Sequence, residues 1–236
     1  MLLAIDTSTA QIGLALFDGE TITGELTWLS RAHHTEQLAP ALAELLERVS
    51  MRIDSIEALG VAIGPGSFTS LRVGLAFVKG LALARHLPLI GVPTLDIVVA
   101  ALPLPDSIFV ETDGKAASTI RKLAAVLQAG RGRLAVGWYK PTVNGWQAEG
   151  PATTITAEEL EQKIHRPVVI CGELSPEDRR CLGRKFKNIT LASPSQCVRR
   201  PGILAEIAWN RWKAGKTDSS ASLAPIYLHV AGGLPE

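Results

Sequence analysis

Gly64-Pro65-Gly66-Ser67, continuing as Phe68-Thr69-Ser70-Leu71-Arg72-Val73-Gly74 and on to Arg85, follows an apolar run at residues 56–63. The run reads as a buried strand, the glycine-proline pair as a tight turn, and residues 67–86 as a helix rich in small residues. A strand that turns sharply into a helix is the building unit of layered α/β proteins. The first N–H groups of a helix have no partner inside it, so Gly64, Gly66 and Ser67 could hold an anion at this turn. The turn could equally be closed within the chain, with Ser67 or Ser70 as the helix cap. It is not a Walker A loop, because no Lys-Ser/Thr pair follows at the required spacing.

In the helix itself Gly74, Ala76, Gly80, Ala82 and Ala84 are interleaved with Leu71, Leu75, Phe77, Val78 and Leu81. A helix that is apolar nearly all round is either wrapped in core or divided between a core and a docking face. Neither the turn nor the helix supplies a nucleophile or a general base.

Working outward, residues 1–9 and 11–17 read as strands, Asp18-Gly19 as a hairpin turn, and residues 21–29 as a third strand. Asp6-Thr7-Ser8-Thr9 closes the first strand. Small hydroxylated residues beside an acid suit a phosphate or a hydrated cation, with Asp6 holding water or Mg²⁺. The same residues also satisfy a turn's own backbone, and both readings stand. An amphipathic helix follows, with Leu38, Leu42, Leu45, Leu46 and Val49 on one face and a Glu44–Arg48 pair at i,i+4. Pro40 either starts it or kinks it one turn in. With a strand at 88–92 and a helix near 95–102, the order β-β-β-α-β-α-β-α predicts a mixed sheet with helices on its faces.

Beyond it, residues 103–119 read as a linker or insertion, followed by strands at 123–127, 134–139 and 167–171. Thr156 and Glu159 form a capping box ahead of a short helix at 157–164. A last helix at 203–212 carries Trp209 and Trp212 on one face.

The 236 residues, 47% apolar and 20% charged, have the composition of a globular protein with room for one large domain or two small ones. Charge is unevenly placed: 6 Lys/Arg against 10 Asp/Glu in residues 1–101, and 15 against 10 in residues 102–200. That asymmetry favours two subdomains. Aromatic residues do not alternate with the basic clusters Arg179-Arg180 and Arg184-Lys185-Phe186-Lys187, so a solvated face is expected ahead of a nucleic-acid footprint. Cys171, Cys181 and Cys197 lack Cys-x-x-Cys spacing and read as reduced thiols. His33-His34 lack the i,i+4 spacing of two metal ligands on one helix, and no metal site is expected. The opening Met1-Leu2-Leu3 has no basic segment before it, and prolines break the most hydrophobic window. The expectation is therefore a cytoplasmic chain without leader or membrane span.

Asp6-Thr7-Ser8, Gly13-Leu14-Ala15-Leu16, His34-Thr35, Gly64 to Thr69, Leu71-Arg72-Val73-Gly74, Lys79-Gly80-Leu81-Ala82 and Pro225-Ile226-Tyr227-Leu228 together resemble the bacterial TsaB (YeaZ) family. The resemblance implies an actin-like ATPase (RNase H-like, ASKHA) fold: two subdomains with mixed β-sheets flanked by helices, the second truncated. The implied domains are residues 1–101, with 201–230 packing back on them, and residues 102–200. It also implies a non-catalytic subunit in the synthesis of N6-threonylcarbamoyladenosine next to the tRNA anticodon. Its partners would be a TsaD-like transferase and a TsaE-like ATPase, with a homodimer in the transferase's absence and tRNA contact indirect or weak. No cofactor is required on this reading, ATP or ADP at the partner interface being the one candidate. Leu42, Leu45, Leu46, Leu71, Leu75 and Val78 are the residues expected to dock. Ser70 replaces a glycine usual in the family, and Gln128 to Arg133 lacks the family's two acids. A rival of another class is a stand-alone ATP-binding phosphotransferase or ATPase using Asp6 and the two turns. Peptidase activity finds no nucleophile–base pair.

Overall fold

The computed structural model describes residues 1–30, 34–104 and 122–228. They fall into two compact units: residues 1–97 with 199–227, and residues 98–198 with 228. The boundary sits at 97/98, against the expected 101/102.

In unit 1, β1 (Leu2–Asp6), β2 (Gln11–Phe17) and β3 (Ile22–Leu29) form an antiparallel meander. β4 (Ala58–Ala62) and β5 (Leu89–Val92) add in parallel, giving the order β3-β2-β1-β4-β5. β1, β4 and β5 are buried at every position, as expected of strands covered on both faces. Strand alternation then separates the two sides of the sheet. Leu3, Ile5, Leu14 and Leu59 point one way, into a core shared with α1 (His34–Arg48) and α2 (Phe68–Arg85). Leu2, Ala4, Ala15, Ala58 and Ala62 point the other way, against α6 (Pro201–Lys213). This second side is lined with small residues, so α6 lies very close: a Cβ on Gly60 would come within 2.7 Å of Ala208 Cβ. The edge-to-face pairs Phe17–Trp209 and Trp209–Trp212 (5.5 and 5.1 Å between ring centroids) finish the contact. Pro40 lies inside α1, whose first turn begins at His34.

α3 (Thr94–Ala100) spans the unit boundary. Unit 2 contains β6 (Lys122–Gln128), β7 (Leu134–Thr142), β8 (Gly145–Ala148), β9 (Thr153–Ile155), β10 (Val168–Gly172) and β11 (Ile189–Leu191). Their order is β11-β10-β6-β7-β8, with β9 paired to β7. Written from the other edge, unit 1 reads β5-β4-β1-β2-β3, with the same parallel and antiparallel neighbours. The units are two versions of one topology. The second is the truncated one: α4 (Ala157–Lys163) and α5 (Pro176–Gly183) have 7 and 8 residues where α1 and α2 have 15 and 18. The Thr156–Glu159 capping box is present. β8, β9, α5, β11 and a 3₁₀ turn at Pro194–Cys197 were not expected from the sequence. They are short, and α5 buries only Leu182, so none carries a readable apolar period. His33 and most of residues 103–119 lie outside the described residues.

Candidate functional site

The two turns singled out in the sequence lie side by side in unit 1 and close each other. Asp6, Thr7 and Ser8 are buried at the end of β1. Asp6 Oδ1 accepts from the Ser8 N–H (2.8 Å), and Oδ2 accepts from Arg199 Nε (2.8 Å). The same guanidinium donates to Thr9 Oγ1 (2.9 Å) and to the Gln11 carbonyl (3.2 Å). Thr7 Oγ1 donates to the Ser70 carbonyl in α2 (2.8 Å). Ser8 Oγ shares a 2.8 Å hydrogen bond with Thr94 Oγ1, which accepts from the Gly64 N–H (2.9 Å). The Ser67 N–H donates to the Ser8 carbonyl (2.7 Å). A side chain on Gly66 would collide with that carbonyl, and one on Gly74 with Thr7 Oγ1, so the β1 turn packs directly on both glycines.

Of the two readings open for Asp6, Thr7, Ser8, Gly64, Gly66 and Ser67, a phosphate or cation site and turns closed within the chain, this arrangement matches the second. Thr7 Oγ1, Ser8 Oγ and the Gly64 and Ser67 N–H groups bond to the neighbouring turn, to α2 and to Thr94, and Ser67 Oγ caps α2 at the Ser70 N–H. The physical reason is that groups able to hold a phosphate also satisfy a neighbouring turn. Beside Asp6, the Arg199 guanidinium takes the place that the cation reading gave to water or Mg²⁺. His34 is likewise structural, its Nε2 3.0 Å from the Thr9 carbonyl oxygen. Among the described residues no group of three or more His, Cys, Asp or Glu side chains is placed to hold a metal ion.

The expected docking residues need correction. Leu42, Leu45, Leu46, Leu71, Leu75 and Val78 are 0–8% exposed and lie in the unit 1 core. They form the inner faces of α1 and α2. The outer face of α2 carries Phe68 (56% exposed), Ala76, Gly80, Leu83 (66% exposed) and Ala84. α1 contributes Ala39, Pro40 and Ala43 to its own outer face. Nothing lies within 4 Å of where a Gly80 side chain would begin. An open groove of about 480 Å³ runs between the two helices, lined by Thr35, Phe68, Thr69, Arg72, Ala76 and Phe77. Its rim is ordered by aromatic contacts, with Phe68 4.8 Å from the Tyr227 ring and the Arg72 guanidinium 4.9 Å over Phe68. The tail that brings Tyr227 there is held to the sheet by Ile226 N–H to the Ile63 carbonyl and Asp218 N–H to the Leu89 carbonyl.

Known proteins resemble this chain in sequence and in fold. A family model described as "TsaD: tRNA N6-adenosine threonylcarbamoyltransferase" matches residues 28–129. A relative from Escherichia coli (strain K12), named tRNA threonylcarbamoyladenosine biosynthesis protein TsaB, is 38% identical over 94 residues, 40% of either chain. The solved YeaZ from Pseudomonas aeruginosa superposes with a TM-score of 0.70 over 95% of this chain and 99% of that one, at 20% identity. Over the matched residues the chain is similar to TsaB, and over nearly its whole length its fold is that of the solved YeaZ. The sequence match spans 40% of the Escherichia coli protein's length, and the remaining likeness is one of fold. The fold reaches further, to an activator of 2-hydroxyisocaproyl-CoA dehydratase from Clostridium difficile, solved with ADPNP (TM-score 0.50, 11% identity). The architecture is thus the actin-like ATPase fold.

Both departures from the pattern that the resemblance implied have a local account. Ser70 lies within α2, so the position does not need a glycine's left-handed φ, and its Oγ donates to Ser67 Oγ (3.0 Å). Gln128, which opens the stretch where the resemblance implied two acids, donates to Asp178 Oδ2 (2.7 Å). Among the described residues no helix is long and apolar enough to cross a membrane.

Proposed function

We propose that this chain is a non-catalytic docking subunit of the machinery that forms N6-threonylcarbamoyladenosine in tRNA, seating the outer faces of α1 and α2 on a TsaD-like transferase. The observation that carries the reading is the outer face of α2. Leu83 stands out from a run of Ala76, Gly80 and Ala84 that lets a partner helix approach backbone to backbone. The names of the relatives and of the matching family model support the pathway and the partner. A second copy of the chain would use the same face when the transferase is absent, and a TsaE-like ATPase would join as a third component. Any ATP or ADP would sit against the partner, because the turns at Asp6 and Gly64 are filled by each other.

The test is to mix the purified chain with the TsaD-like transferase of its own genome and read complex mass by light scattering. A stable complex is expected, and neither protein alone should modify tRNA at the rate of the mixture. Burying one leucine at the centre of an interface contributes about 1–3 kcal/mol, so Leu83→Arg should weaken the complex by at least about tenfold. Undiminished binding by Leu83→Arg and Ala76→Arg together would remove the docking face. Steady ATP hydrolysis or tRNA modification by the chain alone would remove the non-catalytic role.

A further inference from the structure

Unit 2 contains an open cavity of about 1030 Å³, at the upper limit of the size range of ligand sites. Lys122, Trp138, Lys140, Lys163 and Arg166 line it, with Glu149 as its one acid. In the sequence these residues are spread over 45 positions with no basic run among them. The fold assembles them, Lys122 from the start of β6, Trp138 and Lys140 from β7, and Lys163 and Arg166 from the end of α4 and the residues after it. Lys122 Nζ is paired with Glu149 Oε2 at 2.7 Å. Lys140, Lys163 and Arg166 are exposed, and among the described residues they make no ion pair. Trp138 rests partly buried against the unit 2 core and shows its remaining surface to the cavity.

Lys163 and Arg166 would also favour the C-terminal end of α4 if they had no other role. That does not account for Lys140, which comes from a strand and converges on the same space. Three unpaired cations around an indole match a chain of phosphates carrying aromatic bases: cations track the backbone and the ring stacks a base. An acidic peptide would match the cations but leave the indole unused.

We infer that this cavity binds nucleotide units of an RNA strand, so that unit 2 contacts the tRNA directly while unit 1 docks on the transferase. The inference rests on the proposed function for the identity of the RNA, and on the cavity alone for the chemistry. It replaces the indirect or weak tRNA contact expected above. Aromatic and basic residues that are separate along the chain lie together in space.

The test is fluorescence anisotropy of an unmodified tRNA transcript with the full-length chain, from low to high salt. Binding should weaken with salt at a log–log slope of about −2, the value for three phosphate contacts on a single strand. Lys163→Glu with Arg166→Glu should reduce affinity at least about tenfold and flatten the slope by more than about 1. Trp138→Leu keeps an apolar group at the core edge and should reduce affinity about tenfold with the slope unchanged. An unchanged thermal midpoint confirms that each variant is folded. Competition separates sources: AMP, ATP and polyglutamate should each compete far more weakly than RNA. Salt-independent binding, variants equal to wild type, or ATP or polyglutamate binding where tRNA does not, would each overturn the inference. Light scattering with the transferase on the same variants keeps the two readings apart. The Lys163/Arg166 pair should leave docking intact, while Leu83→Arg should leave RNA binding by the isolated chain intact.

Discussion

Arg199 and Asp6 are separated by 193 positions in the chain, yet their side chains, 1% and 3% exposed, form the ion pair on which the first turn is built. Two charges are kept out of water there, and the guanidinium's bonds to Thr9 and Gln11 help to offset the lost hydration. Removing one partner leaves the other charged and buried. Arg199→Met should therefore cost about 3–5 kcal/mol in urea unfolding, and adding Asp6→Asn should recover part of that loss. A second buried pair lies in unit 2, where Cys171 Sγ donates to Cys197 Sγ across 3.9 Å and Arg179 Nη2 sits 3.6 Å from Cys197 Sγ. The bond from Cys171, aided by Arg179, holds Cys197 down to about 6, while the same bond and burial push Cys171 far up. Between about 6 and the ordinary thiol value of 9.0 the unfolded chain keeps both protons and the folded pair keeps one. Stability should then rise with pH across that window, and the contribution should be gone below it. Urea midpoints at several pH values should show this rise in the wild type and a flatter profile in Cys197→Ser.

At the scale of elements, α2 holds most of what the sequence offered and most of what it left open. Its limits, its serine cap and its start at the Gly64-Pro65-Gly66 turn are local features and were legible. Which way it faces was not, because apolar residues surround it and no stripe dominates. Tertiary packing settles the orientation by placing Gly74 on Thr7 and leaving Gly80 open. Two glycines in one helix should therefore respond in opposite ways. Gly74→Ala should destabilise by about 1–3 kcal/mol, since a side chain would force α2 off the β1 turn. Gly80→Ala should stabilise the isolated chain by about 0.5–1 kcal/mol through the helix backbone. Thermal or urea unfolding of the two variants measures both. In unit 2, α5 had a signal that was not read: Ser175-Pro176 with Asp178 three residues after the serine is an N-cap, a first-turn proline and a capping box.

For the whole molecule, one topology appears twice with different surfaces. Unit 1 has long helices and an apolar outer face; unit 2 has short helices and a basic cavity. The two interactions assigned to them should separate in salt. Between low and moderate ionic strength, transferase docking should change little, because it rests on apolar burial, whereas RNA binding should fall steeply. Parallel titrations of the two complexes would show it, and equal salt slopes would contradict the division of labour.

By itself the sequence determined the succession of strands and helices in unit 1, the turn that starts α2, the capping box at Thr156, and a resemblance that implied the actin-like fold. Each of these depends on residues near one another in the chain, where periodicity and turn chemistry act. Only the tertiary structure decided that Arg199 neutralises Asp6, that Leu42, Leu45, Leu46, Leu71, Leu75 and Val78 point inward, and that Trp138 shares a cavity with Lys140, Lys163 and Arg166. Burial and charge pairing are settled by which distant segments meet, and that depends on the packing of the whole chain.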